Sequence, residues 1–125
     1  MMIRLIPKVF FSRMEDGLDL FVDCLGFTIL YRDAALAVVG RDGAKAYVVE
    51  SAEDAAKDRP EIAIETDAID EIHREVSAKR ADVLHPNLPR VTERPWGARE
   101  FSVLDKTGVC IVFRQWPAQD ARPGS

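Results

Sequence analysis

The residues that most often carry catalysis are few in this sequence and do not form a known reaction motif. His73 follows Ile72 on a predicted helix and His85 ends a short predicted strand, so we expect surface or loop histidines. Cys24 and Cys110 have no neighbouring motif that would activate a thiol, and we expect them to pack as small apolar side chains. A disulfide between them is the alternative that the even cysteine count leaves open. The sequence has no Ser-His-Asp order and no glycine-rich phosphate loop.

Trp96 has a setting that indicates ligand binding. It stands between Pro95 and Gly97 in a predicted loop, where a core tryptophan is unusual because loops run over the surface. An indole held between a proline and a glycine can lie over a cleft and stack on a flat ligand. The alternative is that Trp96 plugs a module junction or a dimer seam, and the sequence leaves both open. We expect Trp116, after the last strand, to cover the edge of the core.

Composition limits the class of protein and its partners. The chain has 125 residues, of which 47% are hydrophobic and 30% charged, a globular balance for one domain. The net charge is −4 and basic residues are scattered, so nucleic acid binding has no electrostatic basis. Apolar runs are shorter than the roughly 20 residues of a membrane span, and charges interrupt the first one, unlike a secretory signal. We expect a cytoplasmic protein with neither a nucleic acid nor a membrane partner.

The first half of the chain is predicted to contain a strand, a helix and three more strands. Strands are predicted at 3–11, 27–32, 36–39 and 45–50, with a hairpin turn at 40–43. Residues 51–59 are polar and predicted to be a linker. One amphipathic helix is predicted within 12–27, because apolar residues recur there at helical spacing; they are Met14, Leu18, Phe21, Val22 and Leu25.

The second half repeats this order. A strand at Glu61–Glu65 precedes a helix with Asp67 as its expected N-cap and apolar positions at Ile69, Ile72 and Val76. A short strand at 82–85, a loop at 86–95, and strands at 99–104 and 109–114 joined by a turn at 105–108 follow. The repeat predicts a single α+β domain, 1–125, of two βαβββ modules at about 1–58 and 61–117, with mostly antiparallel sheet.

Several segments resemble one superfamily in the expected order. Residues 18–27, LDLFVDCLGF, resemble the first-helix signature of the vicinal oxygen chelate superfamily. Residues 61–67, EIAIETD, 94–101, RPWGAREF, and 105–108, DKTG, are similar to the glyoxalase, bleomycin resistance protein and dioxygenase family, and PWGAREF leans toward its bleomycin-resistance branch. The resemblance implies sheets curled around a central cleft, which holds a divalent metal in the enzymes, and a homodimer with ligand sites at the subunit interface.

The resemblance also gives a test for a metal. The ligand positions match Lys8, which repels a cation, Val112, which has no donor atom, and Glu61. The fourth strand of the first module offers only Glu50. Because zinc or iron requires three or four ligands, usually including imidazole, we expect no metal, no other cofactor and no catalytic residue. Whether catalysis occurs is left open, with non-enzymatic binding favoured.

Side-chain alternation along the strands predicts which residues face the cleft. Together with Trp96, the expected ligand-binding residues are Lys8, Phe10, Glu50, Glu61, Ala63, Val112 and Arg114. This mixture of aromatic, acidic and basic groups suits an amphipathic organic molecule. We expect a metal-free binding protein of the bleomycin-resistance type that sequesters a small aromatic or cationic compound. The alternatives are a metal-dependent lyase or dioxygenase of the same superfamily, and a stand-alone module that binds a metabolite or a protein.

Overall fold

The computed structural model describes residues 1–118 of the chain. The chain folds into two compact units, Met1–Arg59 and a second unit that begins at Pro60. The strands are β1 (Lys8–Phe11), β2 (Thr28–Arg32), β3 (Leu36–Arg41), β4 (Ala44–Glu50), β5 (Glu61–Glu65), β6 (Thr92–Glu93), β7 (Arg99–Leu104) and β8 (Cys110–Gln115). The helical segments are α1 (Met14–Leu18), a π-helical segment (Asp19–Cys24), α2 (Ala52–Ala55), α3 (Ile69–Arg80) and a 3-10 turn (Ala81–Val83).

Each unit contains one four-stranded sheet, and the two sheets have equivalent strand orders. The first sheet runs β1-β4-β3-β2 and the second runs β5-β8-β7-β6. β1 pairs with β4, and β5 with β8, in parallel, whereas the other neighbours are antiparallel. The prediction of an α+β fold with a βαβββ order in each half and mostly antiparallel pairing is confirmed. No helix within residues 1–118 is long and apolar enough to cross a membrane.

The first unit is held together by close packing of α1 on its sheet. Val9, Phe11 and Val48 are fully buried on the side of the sheet that meets the helix. Gly17 allows this close approach. A Cβ atom at Gly17 would lie 2.7 Å from the Cδ1 atom of Phe11 and would collide with the Cγ1 atom of Val48.

The helical segment of the first unit buries most of the stripe that its sequence period predicts. Met14, Phe21 and Leu25 are buried as predicted, whereas Leu18 and Val22 are only half-buried and Leu20 is buried without having been predicted. The reason is that Asp19–Cys24 is π-helical. A π-helical turn contains more residues than an α-helical turn, so it rotates the buried face away from the positions expected at a period of 3.6.

Three predicted boundaries in the first unit and its linker need correction. The strand predicted at 3–11 begins only at Lys8, where pairing with Tyr47 of β4 starts. The hairpin strands β3 and β4 are longer than predicted, since their ladder continues to the Arg41–Ala44 pair. The linker predicted at 51–59 contains α2, whose start is capped by the Ser51 side chain, which accepts a hydrogen bond from the backbone N–H of Asp54.

In the second unit, α3 packs on the sheet through an apolar and aromatic core. Ile69 and Val76 of α3 are buried. The rings of Phe101 and Phe113 stack at 5.0 Å, and His73 of α3 meets Phe101 edge-on at 4.9 Å. His73 is therefore a packing residue in the helix–sheet interface rather than a surface histidine.

Three expectations for the second unit are wrong in their local structure. Asp67 is not the N-cap of α3; the cap residue is Ala68, and the amide oxygen of Gln115 on β8 accepts the backbone N–H of Ile69 at 2.9 Å. The strand predicted at 82–85 is a 3-10 turn followed by a single bridge between Leu84 and Val103. The loop predicted at 86–95 contains the short strand β6.

Candidate ligand site on the second sheet

One face of the second sheet gathers four of the predicted site residues. Phe101 faces α3, as its contact with His73 shows, so its neighbours on β7 point to the opposite side. We call this opposite side the far face. Strand register places on it Glu61, Ala63, Glu65, Glu100, Ser102, Cys110, Val112 and Arg114. The predicted residues Glu61, Ala63, Val112 and Arg114 therefore do share one face, and Val112 is 7% exposed there.

The centre of the far face is Glu100, whose side chain is only 4% exposed. Its Oε2 atom accepts hydrogen bonds from Nε of Arg114 at 2.5 Å and from Nε1 of Trp96 at 3.0 Å. Nε of Arg94 lies 3.8 Å from the other carboxylate oxygen. A buried carboxylate is costly unless it is paired and hydrogen-bonded, and these three groups supply that compensation. Glu100 thereby holds the indole of Trp96 and the guanidinium group of Arg114 by hydrogen bonds, and the guanidinium group of Arg94 lies beside it as an ion pair.

Trp96 lies in the tight turn that joins β6 to β7. The backbone N–H of Gly97 donates to the carbonyl of Arg94 at 2.9 Å, and the N–H of Arg94 donates to the carbonyl of Ala98 at 2.8 Å. Gly97 has a φ of +96°, a conformation that a residue without Cβ adopts at no steric cost. The turn thus fixes the backbone of Trp96 at the edge of the sheet.

The indole of Trp96 is oriented but still accessible. The guanidinium carbon of Arg94 lies 4.9 Å from the ring centroid, a cation–π arrangement. With its N–H bonded to Glu100, Trp96 nevertheless remains 51% exposed. An aromatic ring that is anchored at its polar atom and half open to solvent offers a preformed contact surface for a planar ligand.

Sequence reasoning missed Glu100 and Arg94. A signal was present in the sequence: an acidic residue stands inside the predicted strand at 99–104, four positions after Trp96. What the sequence did not contain was the pairing of Glu100 with Arg114, which follows from the β7–β8 register.

The first sheet carries the remaining predicted residues and corrects one of them. Lys8 is exposed and Phe10 half-buried, and they lie on the same face of β1 because they alternate with buried Val9. Glu50 pairs with Phe11 in the ladder, so it lies on the opposite face, toward α1. Its Oε2 atom accepts the backbone N–H of Met14 at 2.8 Å and satisfies a donor at the start of α1. Glu50 is a helix-capping residue in this structure, not a neighbour of Lys8 and Phe10.

The donor sets do not fit a divalent metal ion. Within residues 1–118, no three His, Cys, Asp or Glu side chains lie close enough together to hold one. On the far face, Glu61 is next to Ala63 and Val112, which have no donor atoms. The neighbouring thiol is unsuited as well, because burial and the charge of Glu61 raise the pKa of Cys110 and disfavour its thiolate.

The two cysteines and the two histidines either pack in the structure or bond to the backbone. Both cysteines are free thiols, which removes the disulfide alternative; Cys24 is buried and Cys110 half-buried. His73 makes a 2.8 Å hydrogen bond between its Nε2 atom and the carbonyl of Pro89. His85 accepts the backbone N–H of Asn87 at Nδ1, at 3.0 Å, in the loop after α3, as expected for a loop histidine.

No protein-family model matches the chain. Its sequence is nevertheless similar to that of curated proteins. It is 23% identical over 131 residues to a bleomycin resistance protein of Geobacillus stearothermophilus, covering 91% of this chain and 97% of that protein.

The fold is also that of solved structures with related names. A bleomycin-binding protein complexed with bleomycin superposes with a TM-score of 0.77 at 17% identity, over 93% of this chain and 100% of that one. A bleomycin-binding protein of Streptomyces verticillus complexed with copper(II)-bleomycin gives a TM-score of 0.72 at 24% identity, over 90% and 95%. Sequence and fold together confirm that the chain resembles the vicinal oxygen chelate superfamily and, within it, the bleomycin resistance proteins.

Proposed function

We propose that this protein binds and sequesters a small aromatic compound of the bleomycin type without altering it chemically. The observation that carries the proposal is the half-exposed indole of Trp96, held in place by the buried carboxylate of Glu100. The curated relatives named bleomycin resistance proteins support the same class of ligand.

The proposed mechanism is equilibrium capture. A planar group of the ligand stacks on Trp96, and polar groups pair with side chains of the far face. Arg114 can donate to an acceptor of the ligand, and the exposed carboxylate of Glu61 can pair with a cationic group. Because the site is already assembled by Glu100, little ordering is needed when the ligand binds.

Titration calorimetry with metal-free bleomycin tests this proposal. We expect saturable binding and recovery of the unmodified compound, as judged by mass spectrometry. Trp96→Ala should raise the dissociation constant about thirtyfold to hundredfold, since loss of an aromatic pair and of burial together amount to roughly 2–3 kcal/mol. Trp96→Phe is the matched control, since it retains a ring but not the anchoring N–H, and should lose less. Absence of binding by the wild-type protein would refute the proposal for this ligand.

A metal-dependent lyase or dioxygenase is the alternative within the superfamily. It is less supported, because Lys8 offers an ammonium group, Val112 offers no donor and Glu50 is bound to Met14. We therefore propose that the protein works without a metal or other cofactor.

We further propose a homodimer. β2 is an edge strand of the first sheet, and each of its five residues is exposed. Ile29, Leu30 and Tyr31 form an apolar run there, with 39%, 54% and 53% of their surfaces exposed. An exposed apolar edge strand favours pairing with a second chain. Light scattering should give twice the 14.0 kDa chain mass at micromolar concentration; a monomer would contradict this.

A cytoplasmic location and a small-molecule partner complete the proposal. Two free thiols are typical of a reducing compartment. A net charge of −4 favours a small molecule over nucleic acid as the partner.

A further inference from the structure

We propose that Trp116 is a second stacking surface of the same site, so that the far face binds a ligand with two aromatic groups and a neutral hydrogen-bond acceptor between them. This inference rests on the proposed binding function and specifies the ligand class. It replaces the expectation that Trp116 only covers the edge of the core.

The position of Trp116 follows from its contact with β5. Nε1 of Trp116 donates a 2.8 Å hydrogen bond to Oε2 of Glu65. Glu65 lies on the far face, directly opposite Arg114 in the β5–β8 ladder. Trp116 directly follows the end of β8, two residues after Arg114, and its hydrogen bond to Glu65 brings its indole N–H to the side of the sheet on which Arg114 lies. Trp116 is therefore attached to the far face and is half-buried there.

The two tryptophans are held in the same way on either side of one arginine. Glu65, Arg114 and Glu100 form a row across β5, β8 and β7. Each glutamate accepts the N–H of one indole, at 2.8 Å for Trp116 and 3.0 Å for Trp96. Since neighbouring strands are about 4.8 Å apart, the two glutamates lie roughly 10 Å apart along this row. Two aromatic groups with a short connection can span that distance.

Arg114 provides the donor between the two indoles. Its Nε atom donates a hydrogen bond to the carboxylate of Glu100. Within the described part of the chain its terminal amino nitrogens have no hydrogen-bond partner, although a guanidinium group carries five N–H donors. These unused donors point to an oxygen acceptor on the ligand.

The charges around Arg114 favour a neutral acceptor over an anion at this position. The row carries two negative charges, on Glu65 and Glu100, and one positive charge, on Arg114; Arg94, which pairs with Glu100, brings the formal sum to zero. An anion bound to Arg114 would be repelled by the carboxylates on either side of it, and a cation would be repelled by Arg114 itself. A carbonyl oxygen accepts from Arg114 without introducing an unpaired charge.

The two tryptophans of the sequence allow each indole to be observed alone. Trp116→Phe leaves Trp96 as the sole indole, and Trp96→Phe leaves Trp116. We would titrate both variants with bleomycin and with 4,4′-dihydroxybenzophenone, a neutral molecule of two rings joined by a carbonyl, and record tryptophan fluorescence. We expect quenching in both variants, and Trp116→Ala should raise the dissociation constant about tenfold.

A second variant guards against loss of folding in Trp116→Ala. Glu65→Ala keeps the indole but removes its anchor, and should weaken binding severalfold with an unchanged melting temperature. Glu71→Ala, an exposed glutamate on α3, is the matched control and should bind as the wild type does.

The outcomes separate this inference from the proposed function. Quenching of Trp96 alone, with wild-type affinity in Trp116→Phe and Glu65→Ala, would overturn the second stacking surface and leave sequestration standing. Binding of the diaryl ketone with quenching of both indoles, but no binding of bleomycin, would support the inference and refute bleomycin sequestration. Failure of both probes to bind would overturn both.

Discussion

Replacing Glu100 by glutamine tests whether one buried carboxylate organises the site. Glu100→Gln preserves the shape of the side chain but removes its charge. The variant leaves the guanidinium group of Arg114, now 2.5 Å from Oε2, without an anionic partner. It also offers an amide N–H₂ group where Trp96 and Arg114 both require an acceptor.

The expected cost follows from burial. Removing one partner of a buried ion pair costs about 3–5 kcal/mol. The side chain of Glu100 is 4% exposed, but those of Arg114 and Arg94 are 26% and 34% exposed, so water can partly solvate them. The glutamine oxygen can also still accept one hydrogen bond. We therefore expect the free energy of unfolding to fall by about 2–3 kcal/mol, which lowers Tm by roughly 10 °C in a domain of this size.

Urea denaturation measures the stability change, and fluorescence in the Trp116→Phe background reports the environment of Trp96. We expect a lower urea midpoint and a shifted Trp96 emission. The double variant Glu100→Leu/Arg114→Leu should recover part of the loss seen in Glu100→Leu, because no unpaired charge remains. If Glu100→Gln has the wild-type midpoint and unchanged Trp96 emission, Glu100 does not organise the site.

Three further predictions concern metal binding, packing and pH. Adding Zn²⁺, Mn²⁺ or Fe²⁺ should leave Tm unchanged. A metal bound tightly, at a hundredfold excess over its Kd, would add about 2.7 kcal/mol to the free energy of unfolding, so a clear rise in Tm with one metal would contradict the proposal. Gly17→Ala should lower the free energy of unfolding by about 1–3 kcal/mol, as measured by urea denaturation, because the added Cβ would press against Phe11 and Val48. Gly43→Ala is the comparison variant: its added Cβ meets no atom within 4 Å, so any loss of stability there reports only the strain of a φ of +90°. Hydrogen bonds from Arg99 lower the pKa of the Asp70 carboxyl group. The stability that they contribute is therefore present above the pKa of Asp70 in the unfolded chain and is lost as the pH falls through its pKa in the folded protein. Asp70→Asn should remove this part of the dependence of Tm on acid pH in thermal melts.

Local patterns predicted much of the fold and part of the site. The alternation of Glu61, Ala63 and Glu65 with two isoleucines assigns these residues to one face of a strand, because side chains along a strand alternate between its faces. The turn at 105–108 was equally readable: Asp105 accepts the backbone N–H groups of Thr107 and Val109, an interaction within one short segment. The repeated order of elements indicated the two-module topology.

Long-range pairing decided what local patterns could not. Alternation assigns Glu50 to a face only relative to its strand neighbours; the β1–β4 register, which pairs Glu50 with Phe11, turns it toward α1. The π-helical segment at Asp19–Cys24 likewise left the predicted core residues Leu18 and Val22 half-buried, because a pattern of apolar residues does not specify how many residues each turn contains.

The candidate site shows the same division. Its residue types and the loop position of Trp96 between Pro95 and Gly97 were predicted from the sequence, since glycine and proline act on their immediate neighbours. Whether Trp96 is exposed or plugs a junction was left open by the sequence. The role of Glu100 was decided by tertiary structure, because its burial and its contact with Arg114 arise only when β7 and β8 pair in one register. Hydrogen bonds between residues distant in sequence depend on that register, and a single-residue slip would place Glu100 on the opposite face of the sheet.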